Sequence, residues 1–140
     1  MKIRILFYFL IYAFLGWIID TSYRSYIAGE FTHNSITIWP LTPIYGLGAL
    51  LILAIHSKIK QYPIWALFII YSIVLSAYEY IGGVFTVIVF NKRLWDYSDS
   101  AYNLHGHTDL RHLIIWGILA IVLVKLVHPQ IKRLGERFKV

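Results

Sequence analysis

Residues Ser72–Phe90 read SIVLSAYEYIGGVFTVIVF, and they place one carboxylate, that of Glu79, inside an otherwise uncharged apolar run. No other formally charged side chain lies between Lys60 and Lys92. A run of this length exceeds the roughly 20 residues that a helix needs to cross the hydrocarbon core of a bilayer. An acid at that depth costs at least about 2.5 kcal/mol on insertion scales, so it is expected to face a cavity or a partner.

The composition of the whole chain is also typical of a membrane protein. Of its 140 residues, 59% are hydrophobic and 14% are charged, whereas about 25% of the residues in a soluble domain are charged. The net charge of +6 does not indicate nucleic-acid binding, because the basic residues cluster at the ends of apolar runs. The absence of cysteine excludes disulfides and thiolate metal sites.

Four apolar runs predict a single, all-α integral membrane domain, a bundle of about four transmembrane helices. The predicted helices cover about residues 3–20, 43–57, 63–90 and 112–128, followed by a basic amphipathic tail, 129–140, at the membrane surface. The first run lacks a small-residue cleavage pattern, so we interpret it as a retained helix rather than a signal peptide. The third is longer than the membrane core, which predicts a tilt or a break at Gly82 and Gly83.

The second crossing is predicted to be irregular, because prolines interrupt its start. Thr42 and Pro43 are typical of an N-cap followed by proline at the first helical position. A helix over residues 43–57 would be only about 22 Å long, so residues 36–41 must complete the crossing in an extended or broken form. Protein or a water-filled cavity has to cover such backbone, and the positive helix end near Tyr45 would point into that cavity.

The charge bias between loops predicts the orientation. With four crossings, both termini and the loop at Lys58 and Lys60 lie on one side, which carries most of the basic residues and one acid, Glu136. The positive-inside rule therefore places both termini in the cytoplasm. The polar loops over residues 21–35 and 91–111 then form an ordered extracytoplasmic cap.

One face of the third helix carries small and polar side chains, namely Ser72, Ser76, Glu79 and Gly83. Such a face packs closely against another helix or lines a cavity. Glu79 is therefore either the acid of a proton, cation or solute site, or a buried group whose hydrogen bonds hold the bundle together.

Further candidate binding residues lie in the outer half of this topology. They are the acids Asp20 and Asp96, the hydrogen-bonding residues Tyr45 and Asn103, and the aromatic residues Trp17 and Trp95. The tryptophans also fit an interfacial aromatic belt. Asp20 would form an (i, i+4) pair with Arg24 if the first helix extended that far.

The second polar loop contains a group of metal-ligating residue types. His105, His107 and Asp109, with His112 beside them, offer nitrogen and oxygen donors for Zn²⁺ or a similar divalent ion. A solvated or hydrogen-bonded loop explains the same residues without a metal, and no other cofactor is predicted.

No enzyme signature is present, because the chain has neither a Ser/His/Asp order, nor a glycine-rich phosphate loop, nor an HExxH motif. The main hypothesis is a transport-like component that binds or passes a small solute through an outward-facing polar cavity centred on Glu79. One alternative is a membrane enzyme that uses Glu79, Asp96 and His107 on a lipid-linked substrate. The other is an oligomeric channel or membrane-disrupting effector, which would need several copies to enclose a pore.

Five motifs follow one another along about residues 7–125. They are Gly16-Trp17-x-x-Asp20, Pro40-x-x-Pro43-Ile44-Tyr45-Gly46-x-Gly48, Glu79-Tyr80-x-x-Gly83, Trp95-Asp96-Tyr97-Ser98 and Asn103-Leu104-x-Gly106. In this order they resemble the bacterial CmpB-like family of type IV ABC-transporter permeases. The resemblance implies a multi-pass protein of the bacterial inner membrane with a transport-like role. Its expected partners are membrane lipid, a small-molecule or lipid ligand, and either a separate ATPase subunit or further copies of itself.

Overall fold

The computed structural model describes residues 2–33 and 40–137, and within these residues the fold is mostly helical, as predicted. Its elements in chain order are α1 (Lys2–Ala28), α2 (Pro43–Ile59), α3 (Ile64–Phe90), β1 (Asn103–Leu104), β2 (Thr108–Asp109), α4 (Leu110–Val122), a π-helical turn (Leu123–Val127) and α5 (His128–Arg137). The sequence did not predict the two strands, which pair antiparallel as a small hairpin.

Three helical stretches of the described chain are long and apolar enough to cross a membrane, namely Ile3–Ala28, Ile64–Phe90 and Leu110–Arg137. α2 is apolar but has 17 residues, about 25 Å at 1.5 Å per residue, which is less than the hydrocarbon core of about 30 Å. The predicted start of this helix at Pro43 is confirmed. The extended or broken passage predicted before it lies, for residues 36–39, outside the described part of the chain.

α1 continues well beyond the predicted end near Asp20. Nε of Arg24 donates to Oδ2 of Asp20 over 2.9 Å, one helical turn apart, and this pair supports the continuation to Ala28. The helix stops at Gly29, whose φ of +72° suits a glycine after a helix end. The predicted boundary was wrong because polar residues after Asp20 were interpreted as a loop, although they pair along the helix.

The described residues form two compact units, of which the first comprises those within Met1–Leu51 and Gln130–Val140. In this unit the start of α2 packs against α1: the backbone N–H of Thr42 donates to the carbonyl of Ala13 over 2.9 Å. Ala13 lies near the middle of α1, so α2 begins beside the middle of that helix. The predicted side-chain cap was wrong, because Oγ1 of Thr42 is buried without a hydrogen-bond partner among the described residues.

The second unit comprises Ile52–Pro129 and has its own hydrophobic core. The buried core residues are Ile52, Leu67, Tyr71, Leu75, Ala120 and Val124. α3 runs unbroken through Gly82 and Gly83, so a break there was wrong, and the alternative of a tilted helix stays a prediction. The predicted polar face of α3 does pack closely, since Ser72, Ser76, Glu79 and Gly83 are all buried.

α4 begins at Leu110, slightly before the predicted start, because Asp109 caps it by accepting a hydrogen bond from the backbone N–H of His112. The helix does not end at the predicted tail but continues through the π-helical turn into α5. Pro129 has no N–H to donate to the preceding turn, and the N–H of His128 instead reaches five residues back to Leu123. The predicted tail is therefore, as far as Arg137, the end of the same helix.

Candidate functional site

The carboxylate of Glu79 lies in the second unit, where the segment 91–109 meets α3 and α4. The residue is only 4% exposed. Its Oε1 accepts a hydrogen bond from the hydroxyl of Tyr97 over 3.1 Å, and its Oε2 accepts one from the hydroxyl of Thr108 over 2.8 Å. Trp116 and His112, on α4, also face this carboxyl group. We call residues 91–109 the cap segment, because Glu79 ties both of its halves to α3.

Tyr97 connects Glu79 to a second buried acid through His112. The rings of Tyr97 and His112 stack with centroids 3.9 Å apart and planes 14° from parallel. Nδ1 of His112 lies 2.8 Å from Oδ1 of Asp109, which also accepts the backbone N–H of His112 over 2.7 Å. The result is a connected series of hydrogen bonds and one ring stack from α3 through the cap segment to the start of α4.

The environment of Asp109 favours its ionised form. Burial by itself would raise the pKa of this carboxyl, but hydrogen bonds from Ser100 and from the backbone and ring of His112 lower the pKa below its ordinary value. A carboxylate only accepts hydrogen bonds, so Nδ1 of His112 carries the proton that it shares with Asp109.

Asp96 and Trp95 make hydrogen bonds to other residues of the cap segment. Oδ1 of Asp96 accepts hydrogen bonds from the hydroxyl and the backbone N–H of Ser98 and from Nη1 of Arg93. Hydrogen bonds from Ser98, followed by the charge of Arg93, hold the pKa of the exposed Asp96 carboxyl below its usual value. The indole N–H of Trp95 donates to the carbonyl of His107 over 2.9 Å. Both residues therefore have defined structural partners within the cap segment.

Asn103 organises the hairpin of the cap segment. Its Nδ2 donates to the carbonyls of Ser98 and Ser100 over 3.1 and 2.8 Å, and its Oδ1 accepts the N–H of Gly106 over 3.0 Å. His105 and Gly106 have φ values of +53° and +72°, as the two central residues of a type I′ turn require. The amide of Asn103 thus fixes the turn that brings β2 back to Glu79.

Gly83 is the place where the cap segment rests on α3. A Cβ at this position would lie 2.5 Å from Nδ1 of His107, so only glycine allows so close an approach. The ring of His107 meets that of Tyr80 edge to face, with centroids 5.5 Å apart. Burial, followed by electrostatic interaction with Arg93 and His105, lowers the pKa of His107, which favours the neutral ring in the docked segment.

The three predicted metal ligands have separate partners. Nδ1 of His105 is 3.0 Å from the hydroxyl of Tyr80, His107 rests on α3, and Asp109 binds His112. Among the side chains that the structure describes, no group of three or more His, Asp or Glu is arranged to hold a metal ion. The metal site therefore stays a prediction without geometric support.

The remaining predicted site residues belong to the first unit. Asp20 is bound to Arg24, as described above. The ring of Trp17 stacks on that of Phe14, with centroids 6.1 Å apart. Tyr45 occupies the first turn of α2 and packs on the backbone of α1. Their role in binding stays a prediction.

Sequence reasoning identified Glu79 but missed its principal partners. Thr108 is 29 residues away from Glu79, and nothing in the periodicity of α3 connects the two. Tyr97 and His112 were noted only as parts of a motif and of a histidine group. The useful signal was the unpaired acid itself, which required donors from another part of the chain.

A family model described as Putative ABC-transporter type IV matches residues 7–139, which is nearly the whole chain. No curated protein and no solved structure matches this chain. The match includes all the residues of the Glu79 network and of the cap segment.

Proposed function

Because the chain belongs to the Putative ABC-transporter type IV family, we propose that it is the membrane component of a transport system that binds or passes a small solute. The three apolar helices of spanning length support a membrane location. Counting the shorter apolar helix α2 as a fourth crossing, we place the protein in the bacterial inner membrane, with both termini cytoplasmic and the cap segment outside. The positive-inside distribution of lysine and arginine supports this orientation.

We assign the solute to a polar site centred on Glu79 and covered by the cap segment. The observation that carries this proposal is that both oxygens of a buried acid within a helix of spanning length accept hydrogen bonds from hydroxyl groups of the segment that connects α3 and α4. Exchanging the donors of Tyr97 and Thr108 for amine or hydroxyl donors of a solute would cost little, because each lost hydrogen bond is replaced.

The energy source is assigned to a separate ATPase subunit. The sequence contains no glycine-rich phosphate loop, so nucleotide hydrolysis has to come from another chain. A partner of this kind would act from the cytoplasmic side, where the basic end of α5 lies in the proposed orientation.

Native mass spectrometry of the tagged chain, purified from the membranes of its own host, tests both assignments at once. We expect a co-purifying ATPase subunit, and a small-molecule adduct that disappears in Glu79→Gln. Glu136→Gln is the matched control, because this acid is exposed on α5. An adduct that survives in Glu79→Gln would refute the site, and repeated purification without any ATPase would refute the transport assignment.

Reporter fusions test the orientation independently. Green fluorescent protein fused after Val140 is expected to fluoresce, because it folds in the cytoplasm. Alkaline phosphatase inserted after Tyr102, which is 84% exposed in the cap segment, is expected to be active only if that segment lies outside. Reversed activities of the two reporters would show that the orientation is wrong.

A further inference from the structure

An open apolar groove lies between α3 and α4, at the end of the second unit opposite the cap segment. Its volume is about 390 Å³, and its lining is made only of apolar side chains, namely Ile64, Trp65, Phe68, Ile118, Ile121 and Val122. Trp65 is 66% exposed and Ile64 is 58% exposed, so the groove opens outward from the helix pair. On a spanning helix pair, an open apolar groove faces acyl chains rather than water.

Both helices that line the groove lead to a lysine at this end. Lys60 precedes Ile64 by four residues, and Lys125 follows Ile121 by four residues. The charges of both lysines act on the ring of His56, so both lie in its vicinity. The ring itself is held by Tyr71, whose hydroxyl lies 2.6 Å from Nδ1 of His56.

No acid of the second unit is placed to neutralise these lysines. The sequence has no Asp or Glu between Glu30 and Glu79, or between Asp109 and Glu136. Glu79 lies fifteen positions beyond Ile64 on α3, about 22 Å along the helix axis at 1.5 Å per residue. That separation exceeds the Debye length of about 8 Å at physiological salt. The positive charge at the mouth of the groove therefore needs a counter-charge from outside the unit.

We propose that this end of the second unit binds an anionic phospholipid, with one acyl chain in the groove between α3 and α4 and the phosphate at Lys60 and Lys125. The apolar lining suits a lipid acyl chain, and the two lysines favour a negatively charged headgroup. The exposed indole of Trp65 lies where aromatic side chains anchor a protein at the membrane interface. The site is separate from the Glu79 network and does not depend on the identity of any transported solute.

The test is a lipid titration of the full-length chain in detergent micelles, followed by native mass spectrometry. The probes are dioleoyl-phosphatidylglycerol and dioleoyl-phosphatidylcholine, which share acyl chains and differ in headgroup charge. Phosphatidylglycerol is expected to bind more tightly. Lys60→Gln and Lys125→Gln should each weaken its binding about fivefold, and together about 30-fold, without affecting phosphatidylcholine. Lys58→Gln, in the last turn of α2 and not among the lysines that act on His56, is the matched control and should have no effect.

A second pair of variants tests the groove. Ile118→Trp is expected to fill it and to weaken both lipids, whereas Ile88→Trp, at a 75% exposed position of α3 that does not line the groove, should change neither. Equal affinity for the two lipids would overturn the headgroup assignment. Displacement of phosphatidylglycerol by millimolar inorganic phosphate would show that the site recognises free phosphate. If Lys58→Gln and Lys60→Gln weaken phosphatidylglycerol binding equally, general surface charge rather than a specific site attracts the lipid.

Discussion

Glu79→Ala is expected to release the cap segment while α3 remains helical. The variant leaves the hydroxyls of Tyr97 and Thr108 without their acceptor in a buried site, and each buried donor left without a partner costs about 1–3 kcal/mol. We expect the cap segment to lose about 3 kcal/mol of local stability, which corresponds to about 100-fold in amide exchange protection. α3 itself should insert more readily, because the cost of the intramembrane acid disappears.

Hydrogen exchange read by mass spectrometry on the purified protein measures this directly, since peptides from the cap segment and from α3 can be compared in one sample. Glu79→Gln is the graded control: it keeps the size of the side chain and one acceptor oxygen, so about half of the loss is expected. Tyr97→Phe and Thr108→Val each remove one donor and should give smaller effects than Glu79→Ala. If cap peptides exchange at the wild-type rate in Glu79→Ala, the anchoring role of this acid is wrong.

Two features of the site could be deduced from the sequence alone, namely the acid Glu79 and the small, polar face of α3. The single charge in the apolar run was enough to find Glu79, because an intramembrane acid stands out against its surroundings whatever the fold. The small and polar face of α3 followed from helical periodicity, and its close packing is seen in the structure. Both deductions depend only on local sequence.

The partners of Glu79 could not be deduced in the same way, because they depend on a chain reversal. A type I′ turn at His105 and Gly106 brings Thr108 back to α3, and a histidine with positive φ gives little signal in a sequence. From the sequence, Gly83 allows two interpretations, a weak point of the helix and a member of its closely packing face. The structure supports the second, because the missing side chain of Gly83 makes room for His107. A glycine in a spanning helix indicates close approach as readily as a bend.

Gly117→Leu is expected to separate α3 from α4 and to unfold the second unit. A Cβ at Gly117 would overlap Oγ of Ser72 and would lie 2.6 Å from Cε2 of Phe68. Ser72 is only 1% exposed, so its hydroxyl cannot escape the new side chain by turning into solvent. Overpacking by a few atoms costs about 1–3 kcal/mol; a leucine inserted into a glycine contact exceeds that range, so we expect a loss of at least about 3 kcal/mol in the free energy of unfolding.

A titration of the detergent-solubilised protein with sodium dodecyl sulfate, followed by helix content, measures the unfolding free energy of each variant. Gly117→Ala should cost less than Gly117→Leu, because one methyl group is added and alanine favours the helix by about 1 kcal/mol over glycine. Combining Gly117→Ala with Ser72→Gly removes the hydroxymethyl group that the new Cβ meets, so the double variant should regain part of the packing. Ile118→Leu, at a neighbouring position that is 53% exposed, should change the unfolding free energy by less than about 0.5 kcal/mol.

Because α4 carries His112 and Trp116 toward Glu79, Gly117→Leu should also release the cap segment, whereas Glu79→Ala should leave the α3–α4 contact intact. Wild-type stability in Gly117→Leu would show that the two helices do not depend on this contact.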